Sequence, residues 1–208
     1  MPGKTLPMFP LGTVLFPGAA LPLQVFEPRY CEMTEVCLRS DGRFGVVLIE
    51  HGSEVGGGDT RFGVGTVARI VEAARTPDGR YLLTAVGVER FRVKRWLDDA
   101  PYPRADVDLL SETKRVGSRA DASRDSVERL LVRALALRAE LGEPIPPLAR
   151  GLDADPVRAS FQAAAAAALG PFDSQQLLEL DDPVARFESL GELLDGAIEV
   201  LQFRLAAG

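Results

Sequence analysis

"RADVDLLSETKRVGSRADASRDSVERLLVRALALRAEL", residues 104–141, contains the change of period that decides the fold. At its start Val107 and Leu109 alternate with Asp106 and Asp108, the period-two signature of a strand with one wet face. From residue 125 onward, Val127, Leu130, Leu131, Ala134, Leu135 and Leu141 fall instead on one helical stripe, with arginines and glutamates opposite. A β-rich half therefore gives way to a helical half near residue 110.

Upstream of the switch, short apolar runs alternate with turn signals. "FGVVLIE" (44–50) and "FGVGTVARIVEAAR" (62–75) are rich in β-branched residues, and "RYLLTAV" (80–86) follows "TPDG", which has the chemistry of a tight turn. This predicts a hairpin. In "RFRVKRW" (90–96), Phe91 and Val93 alternate with Arg90, Arg92 and Lys94, which places those three cations on a wet face. The opening segment carries Pro7, Pro10, Pro17, Pro22 and Pro28. They interrupt the continuous apolar region a signal peptide requires, so the segment reads as mature structure. Alternation in "LQVF" after Pro22 suits an edge or barrel-closing strand, because proline cannot donate to a central ladder. Pro28 then starts a short helix in which Tyr30, Met33, Val36 and Cys37 share a face, with Glu27 and Arg29 as cap and ion pair.

Downstream, Asp155-Pro156 and Asp182-Pro183 each place an acceptor at the cap and proline at the first helical position. Asp173 and Gln176 have the spacing of a capping box. In the last helix Phe187, Leu190, Leu194, Ile198, Leu201 and Leu205 advance by three or four, predicting a partner along its length.

Composition narrows the function. The 208 residues are 46% hydrophobic and 26% charged, as in a globular chain, and the net charge of −6 divides into −1 over residues 1–110 and −5 beyond. Such a balance disfavours general binding of nucleic acid or anionic membrane. No segment has the length and apolarity of a spanning helix; "SFQAAAAAALG" is short, and its alanines permit close helix packing. Cys31 and Cys37, six apart with a single histidine in the chain, make no zinc site and suit a reducing compartment. The chain reads as soluble and cytoplasmic. His51 reads as a loop histidine, and Asp98-Asp99 and Asp181-Asp182 are paired by adjacency only. No catalytic residue, metal ligand or cofactor-binding residue is assigned.

Four blocks, "LPMFPLGTVLFPGAALPLQVFEPRYCEM", "RFGVVLIEHGSEVGGGDTRFGVGTVARI", "DGRYLLTAVGVERFRV" and "QQLLELDDPVARFESLGELL", together resemble the N-terminal substrate-binding domain of the Lon protease family. The resemblance implies a β-rich, PUA-like pseudo-barrel followed by a helical bundle, hence an α+β protein with parts at residues 5–112 and 120–206. The chain stops where the family's ATPase and peptidase modules would begin. No GxxxxGK[ST] occurs, "GSEVGGGDT" reads as a loop, and Lys4, Lys94 and Lys114 lie in no context matching the family's Ser-Lys site. The resemblance thus implies a stand-alone, non-enzymatic recognition module for exposed apolar segments of unfolded or damaged polypeptides, or for a specific protein partner. A full-length Lon protease is one such partner, making the chain an adaptor or regulator, and the reading leaves room for a homo-oligomer. Phe16, Phe26, Tyr30 and Phe62 are the candidate apolar contacts, each also a candidate core residue. The rival reading is RNA binding by Arg90, Arg92 and Lys94, ranked lower because no aromatic shares their face and the aspartates of "RADVDLL" offer ion pairs.

Overall fold

The structure, a computed structural model, describes residues 4–52, 60–112, 117–145 and 151–207. They fall into two compact units, Met1–Ser111 and Glu112–Gly208.

The first unit carries six strands and one helix: β1 (Lys4–Leu11), β2 (Ala20–Val25), α1 (Pro28–Leu38), β3 (Arg43–His51), β4 (Thr60–Arg75), β5 (Tyr81–Leu97) and β6 (Arg104–Leu109). The sheet order is β2-β5-β4-β3-β1-β6, and β6 pairs again with β5. Five strands therefore close on themselves and β2 is left outside the ring as an edge, where Pro22 deprives no central ladder of a donor. β1 and β3 are parallel; the other pairs are antiparallel.

Alternation along the strands fills two cores. Leu6, Met8, Val47, Val67, Phe91, Ala105 and Val107 pack inside the ring. Phe9, Leu11, Phe44 and Val46, their neighbours along the strands, pack with Tyr30, Met33 and Cys37 of α1 in a second cluster. Burial on both faces explains why "FGVVLIE" reads as a continuous apolar run. Gly45 and Gly65 make the ring interior possible: a Cβ on Gly65 would lie 2.7 Å from Phe91 Cζ and 2.8 Å from Val47 Cγ1, and one on Gly45 would lie 2.6 Å from Met8 Sδ.

β4 and β5 are long, at 16 and 17 residues, and bulged. Their first halves and second halves serve different purposes. Residues 64–68 and 89–97 build the ring, while residues 69–75 and 81–86 run on with β2 as a three-stranded arm. The hairpin predicted at "TPDG" joins them, with Gly79 at φ +87°. α1 begins at Pro28, as the sequence implies, and covers the inner face of the arm. Its buried stripe is Tyr30, Met33, Thr34 and Cys37; Val36 is exposed. Thr34 can be buried because its hydroxyl donates to the Tyr30 carbonyl at 2.8 Å.

The second unit holds α2 (Ser118–Glu140), α3 (Pro156–Ala166), α4 (Pro171–Glu179) and α5 (Pro183–Ala207). α2 starts seven residues before the expected 125, because its first turns are polar and carry little periodic signal. Val127, Leu131, Ala134 and Leu135 of α2 and Phe187, Leu190, Leu194, Ile198 and Leu201 of α5 are buried as their stripes require. The Asp155 carboxylate accepts from the Arg158 amide at 3.0 Å and caps α3; that of Asp182 accepts from Val184 at 2.9 Å at the start of α5. Asp173 forms no capping box. Pro171 occupies the first helical position, so Gly170 is the cap and Asp173 sits in the first turn.

Candidate functional site

Once α1 has covered the inner face of the arm, its outer face is left open. In β5, Tyr81, Leu83 and Ala85 point inward and are buried, while Leu82 and Val88 are 46% and 40% exposed. Register places Leu82 between Gln24 of β2 and Ala74 of β4, and Thr84 between Pro22 and Glu72. These residues, with Leu23, Ala73 and Leu83, line a shallow depression of about 450 Å³. Its only charged side chain is Glu72, whose carboxylate accepts from Thr84 Oγ1 at 3.3 Å. Outward alternation in β2 continues from Pro22 and Gln24 to Phe26, which is 55% exposed just beyond the strand.

Chemically this is an aliphatic surface across three strands with hydrogen-bonding groups at its margin. Among the described residues no group of three His, Cys, Asp or Glu side chains could hold a metal ion. The surface can exclude water from an apolar side chain laid across it. Proline in the edge strand disfavours adding a further strand there, so recognition rests on side chains.

The structure separates the four aromatic candidates. Phe26 is exposed beside the depression. Phe16 and Tyr30 are each 3% exposed and are core, not contact, residues. Tyr30 stacks on Phe9 with ring centroids 4.3 Å apart, under the Arg29 guanidinium at 4.6 Å, and Arg29 pairs with Glu27 at 3.0 Å. Phe62 is half-buried and lies ten residues before Glu72 on β4, roughly 30 Å of strand away. The four do not form one surface.

The basic strand is likewise split. Arg90 is fully buried, contrary to the wet face its alternation implies. The segment between β1 and β2 crosses that face: Thr66, the cross-strand partner of Arg90, donates to the Leu15 carbonyl at 2.5 Å, and Gly87 leaves room for the Phe16 backbone. A bulge between Val93 and Arg95 then breaks the alternation. Lys94 pairs with Asp108 at 3.4 Å and Arg95 with Asp106 at 2.8 Å, as the aspartates of "RADVDLL" lead one to expect. Arg92 remains exposed.

The minor candidates resolve simply. His51 is exposed at the end of β3, 3.4 Å from Thr60 Oγ1; "GSEVGGGDT" falls largely at 53–59, outside the described residues. Cys37 is buried, its Sγ 3.4 Å from the Arg43 carbonyl, and burial pushes its thiol up to about 12. Cys31 is half-buried and raised for the same reason. Among the described residues no helix is long and apolar enough to cross a membrane.

Sequence reasoning missed Leu82 and Arg186. A signal for Leu82 existed: "YLL" places apolar residues on both sides of the alternation, so one of them must face outward. Arg186 is fully buried in the second unit, stacked 3.8 Å over Phe161. Its guanidinium donates to the Leu177 carbonyl at 3.1 Å, the Leu180 carbonyl and Ser160 Oγ at 2.6 Å, and pairs with Glu112 at 3.7 Å. Leu177 and Leu180 carry carbonyls at the C-terminal end of α4, which lack intrahelical donors; a cation there is doubly favourable. Arg186 holds the bundle together and touches no open surface.

A family model described as the ATP-dependent protease La (LON) substrate-binding domain matches residues 5–196. Among curated relatives, the Lon protease of Desulfovibrio desulfuricans is 30% identical over 200 residues, covering 94% of this chain and 22% of that protein. Lon protease 2 of Myxococcus xanthus is 30% identical over 202 residues, covering 96% of this chain and 24% of its own length. The chain thus spans about a quarter of these relatives. Solved structures are similar too, two of them Lon N-terminal domains. The Lon N-terminal domain protein from Xanthomonas campestris has a TM-score of 0.64 at 26% identity, with 90% of this chain and 96% of that one covered. The N-terminal domain of the Mycobacterium avium complex Lon protease has a TM-score of 0.68 at 18% identity, with 92% and 98% covered, a likeness of fold.

Proposed function

This chain belongs to the ATP-dependent protease La (LON) substrate-binding domain family, and we propose that it is a non-enzymatic polypeptide-binding module that captures exposed apolar segments on the outer face of its β2-β5-β4 arm. The observation that carries the reading is that open aliphatic face, centred on Leu82 between Gln24 and Ala74. Burial of a leucine side chain is worth roughly 1.5–3 kcal/mol from full exposure; at 46% exposure Leu82 retains about half of that for a ligand. A few such contacts give weak, sequence-tolerant binding, suited to a surface that samples unfolded chains.

Fluorescence anisotropy of a labelled, permanently unfolded protein, titrated across a salt series, tests this. Binding should persist at high salt, since no charge pair drives it, and Leu82→Asp should weaken it about tenfold by placing a carboxylate in the apolar patch. Salt-sensitive binding, or full affinity in Leu82→Asp with its fold intact, would remove the arm from the account.

A second reading is an adaptor role, since the curated relatives this chain matches are Lon proteases. Retention of a Lon ATPase by the immobilised chain would support it. RNA binding loses ground, because Arg90 is buried and Lys94 is paired with Asp108.

A further inference from the structure

The helical unit holds a depression of its own, about 350 Å³, where the second half of α5 meets the end of α2 and the turn into α4. Its floor is apolar: Leu169, Leu193 and Ala197 are half-buried, and Val200 is 59% exposed. Gly196 keeps the floor low, because a Cβ there would meet nothing within 4 Å. The rim is charged. Glu143 accepts from Arg138 Nη1 at 3.2 Å through one carboxylate oxygen and from Arg204 Nη1 at 2.6 Å through the other. Arg138 turns its second arm to the Ala168 carbonyl at 3.2 Å. Arg204 has no further partner among the described residues and is half exposed, so its Nε and Nη2 are left to donate. Asp173, also on the lining, is half-buried, and its carboxylate accepts no hydrogen bond from another described residue.

We propose that this depression binds the C-terminal end of a polypeptide whose last residue is apolar. Two guanidiniums share one carboxylate at the rim, which leaves a surplus of positive charge beside an apolar floor, the complement of an apolar side chain next to a carboxylate. Arg204 stands one helical turn beyond Val200, so a carboxylate held by its open donors lays the adjoining side chain on Val200 and Ala197, towards Gly196. Asp173 decides between sources of such a group. An ionised carboxyl only accepts, so Asp173 calls for a donor, and a peptide supplies a backbone N–H where a fatty-acid chain has none. The volume lies at the lower end of the range for small-ligand sites, with room for a residue or two and not for a folded partner. An internal segment of a chain carries no carboxylate of this kind, so the depression reads chain ends. It lies wholly within the helical unit and does not rest on the arm.

The test is fluorescence anisotropy of an N-terminally labelled pentapeptide ending in leucine, as the free acid and as the C-terminal amide, titrated with the full chain to several hundred micromolar. The acid should bind about tenfold tighter than the amide, and the difference should shrink with added salt. Arg204→Gln, with its helical signal matching the parent's, should bring the acid down to the affinity of the amide. Gly196→Leu should fill the depression and weaken both peptides about tenfold without lowering the melting temperature, because leucine is the better helix former and its Cβ meets nothing. Leu82→Asp should bind the acid as the parent does, which keeps this result separate from that of the arm. Decanoate at the same concentration should not displace the peptide. No binding of the acid, equal affinity for acid and amide, an acid preference that survives Arg204→Gln, undiminished binding in Gly196→Leu, loss in Leu82→Asp, or displacement by decanoate would each overturn the proposal.

Discussion

Arg186→Met isolates what a single buried cation contributes to the helical unit. Methionine keeps a long unbranched apolar stem, so little cavity opens, and the loss is chiefly polar. The carbonyls of Leu177 and Leu180 and the hydroxyl of Ser160 each lose a donor. The Ser160 hydroxyl keeps its own donation to the Val157 carbonyl at 2.8 Å, and Glu112, with 23% of its side chain exposed, can rehydrate. The Leu177 carbonyl, on a fully buried residue, cannot. At roughly 1–3 kcal/mol for the buried carbonyl left unsatisfied and about 1 kcal/mol for each of the other two hydrogen bonds lost, the expected loss is about 4 kcal/mol. The assay is urea denaturation followed by the helical circular dichroism signal. With a slope of roughly 1–2 kcal/mol per molar for a unit of this size, the midpoint should fall by about 2 M or more. Glu112→Gln should cost only about 1 kcal/mol, because its contact with Arg186 is long and partly hydrated. A midpoint for Arg186→Met within about 0.5 M of the parent would refute the argument that this arginine caps α4.

Three further outcomes follow from the geometry. Gly65→Ala should destabilise the β unit by about 2 kcal/mol or more, because its methyl would press on Phe91 and Val47 inside a closed ring; a urea midpoint equal to the parent's would count against that packing. Asp155→Ala should cost about 1 kcal/mol by removing the acceptor for the Arg158 amide, and Asp155→Asn should recover most of it in thermal melts. For Cys37 the folded thiol is raised from 9.0 to about 12, so its contribution to stability is complete below pH 9 and declines as the pH rises towards 12. Thiol labelling near pH 8 should therefore modify Cys37 only at the rate of unfolding, and rapid labelling in the native protein would contradict its burial.

The legible parts of the fold were those where one local rule had no competitor. Asp155-Pro156 and Asp182-Pro183 announce helix starts because proline at the first turn and an acceptor before it are satisfied within four residues. "TPDG" announces a hairpin for the same reason. Where two local rules met, the neighbouring residue decided: Pro171 took the first helical position and displaced Asp173 from the cap. The candidate site was much less legible. Phe16, Tyr30 and Phe26 look alike in sequence, and only the packing of the segment before β2 and of α1 buries the first two and leaves the third exposed. Arg90 shows the limit most plainly. Its strand alternates correctly, yet the loop that crosses it, from more than seventy residues earlier in the chain, turns a wet face into a buried one.

The sequence by itself determined that this protein is α+β, where its periods change, where most of its helices begin, and through four ordered blocks its family. These are properties of near neighbours along the chain: alternation, capping and turn chemistry act within a few residues. Tertiary structure alone decided that five strands close into a ring and that β2 lies outside it as an edge strand on β5. It also decided that Leu82 is offered to solvent while Arg90 and Arg186 are withdrawn from it. Exposure is set by what else in the chain packs over a residue, and that is fixed by long-range closure, which no local window contains.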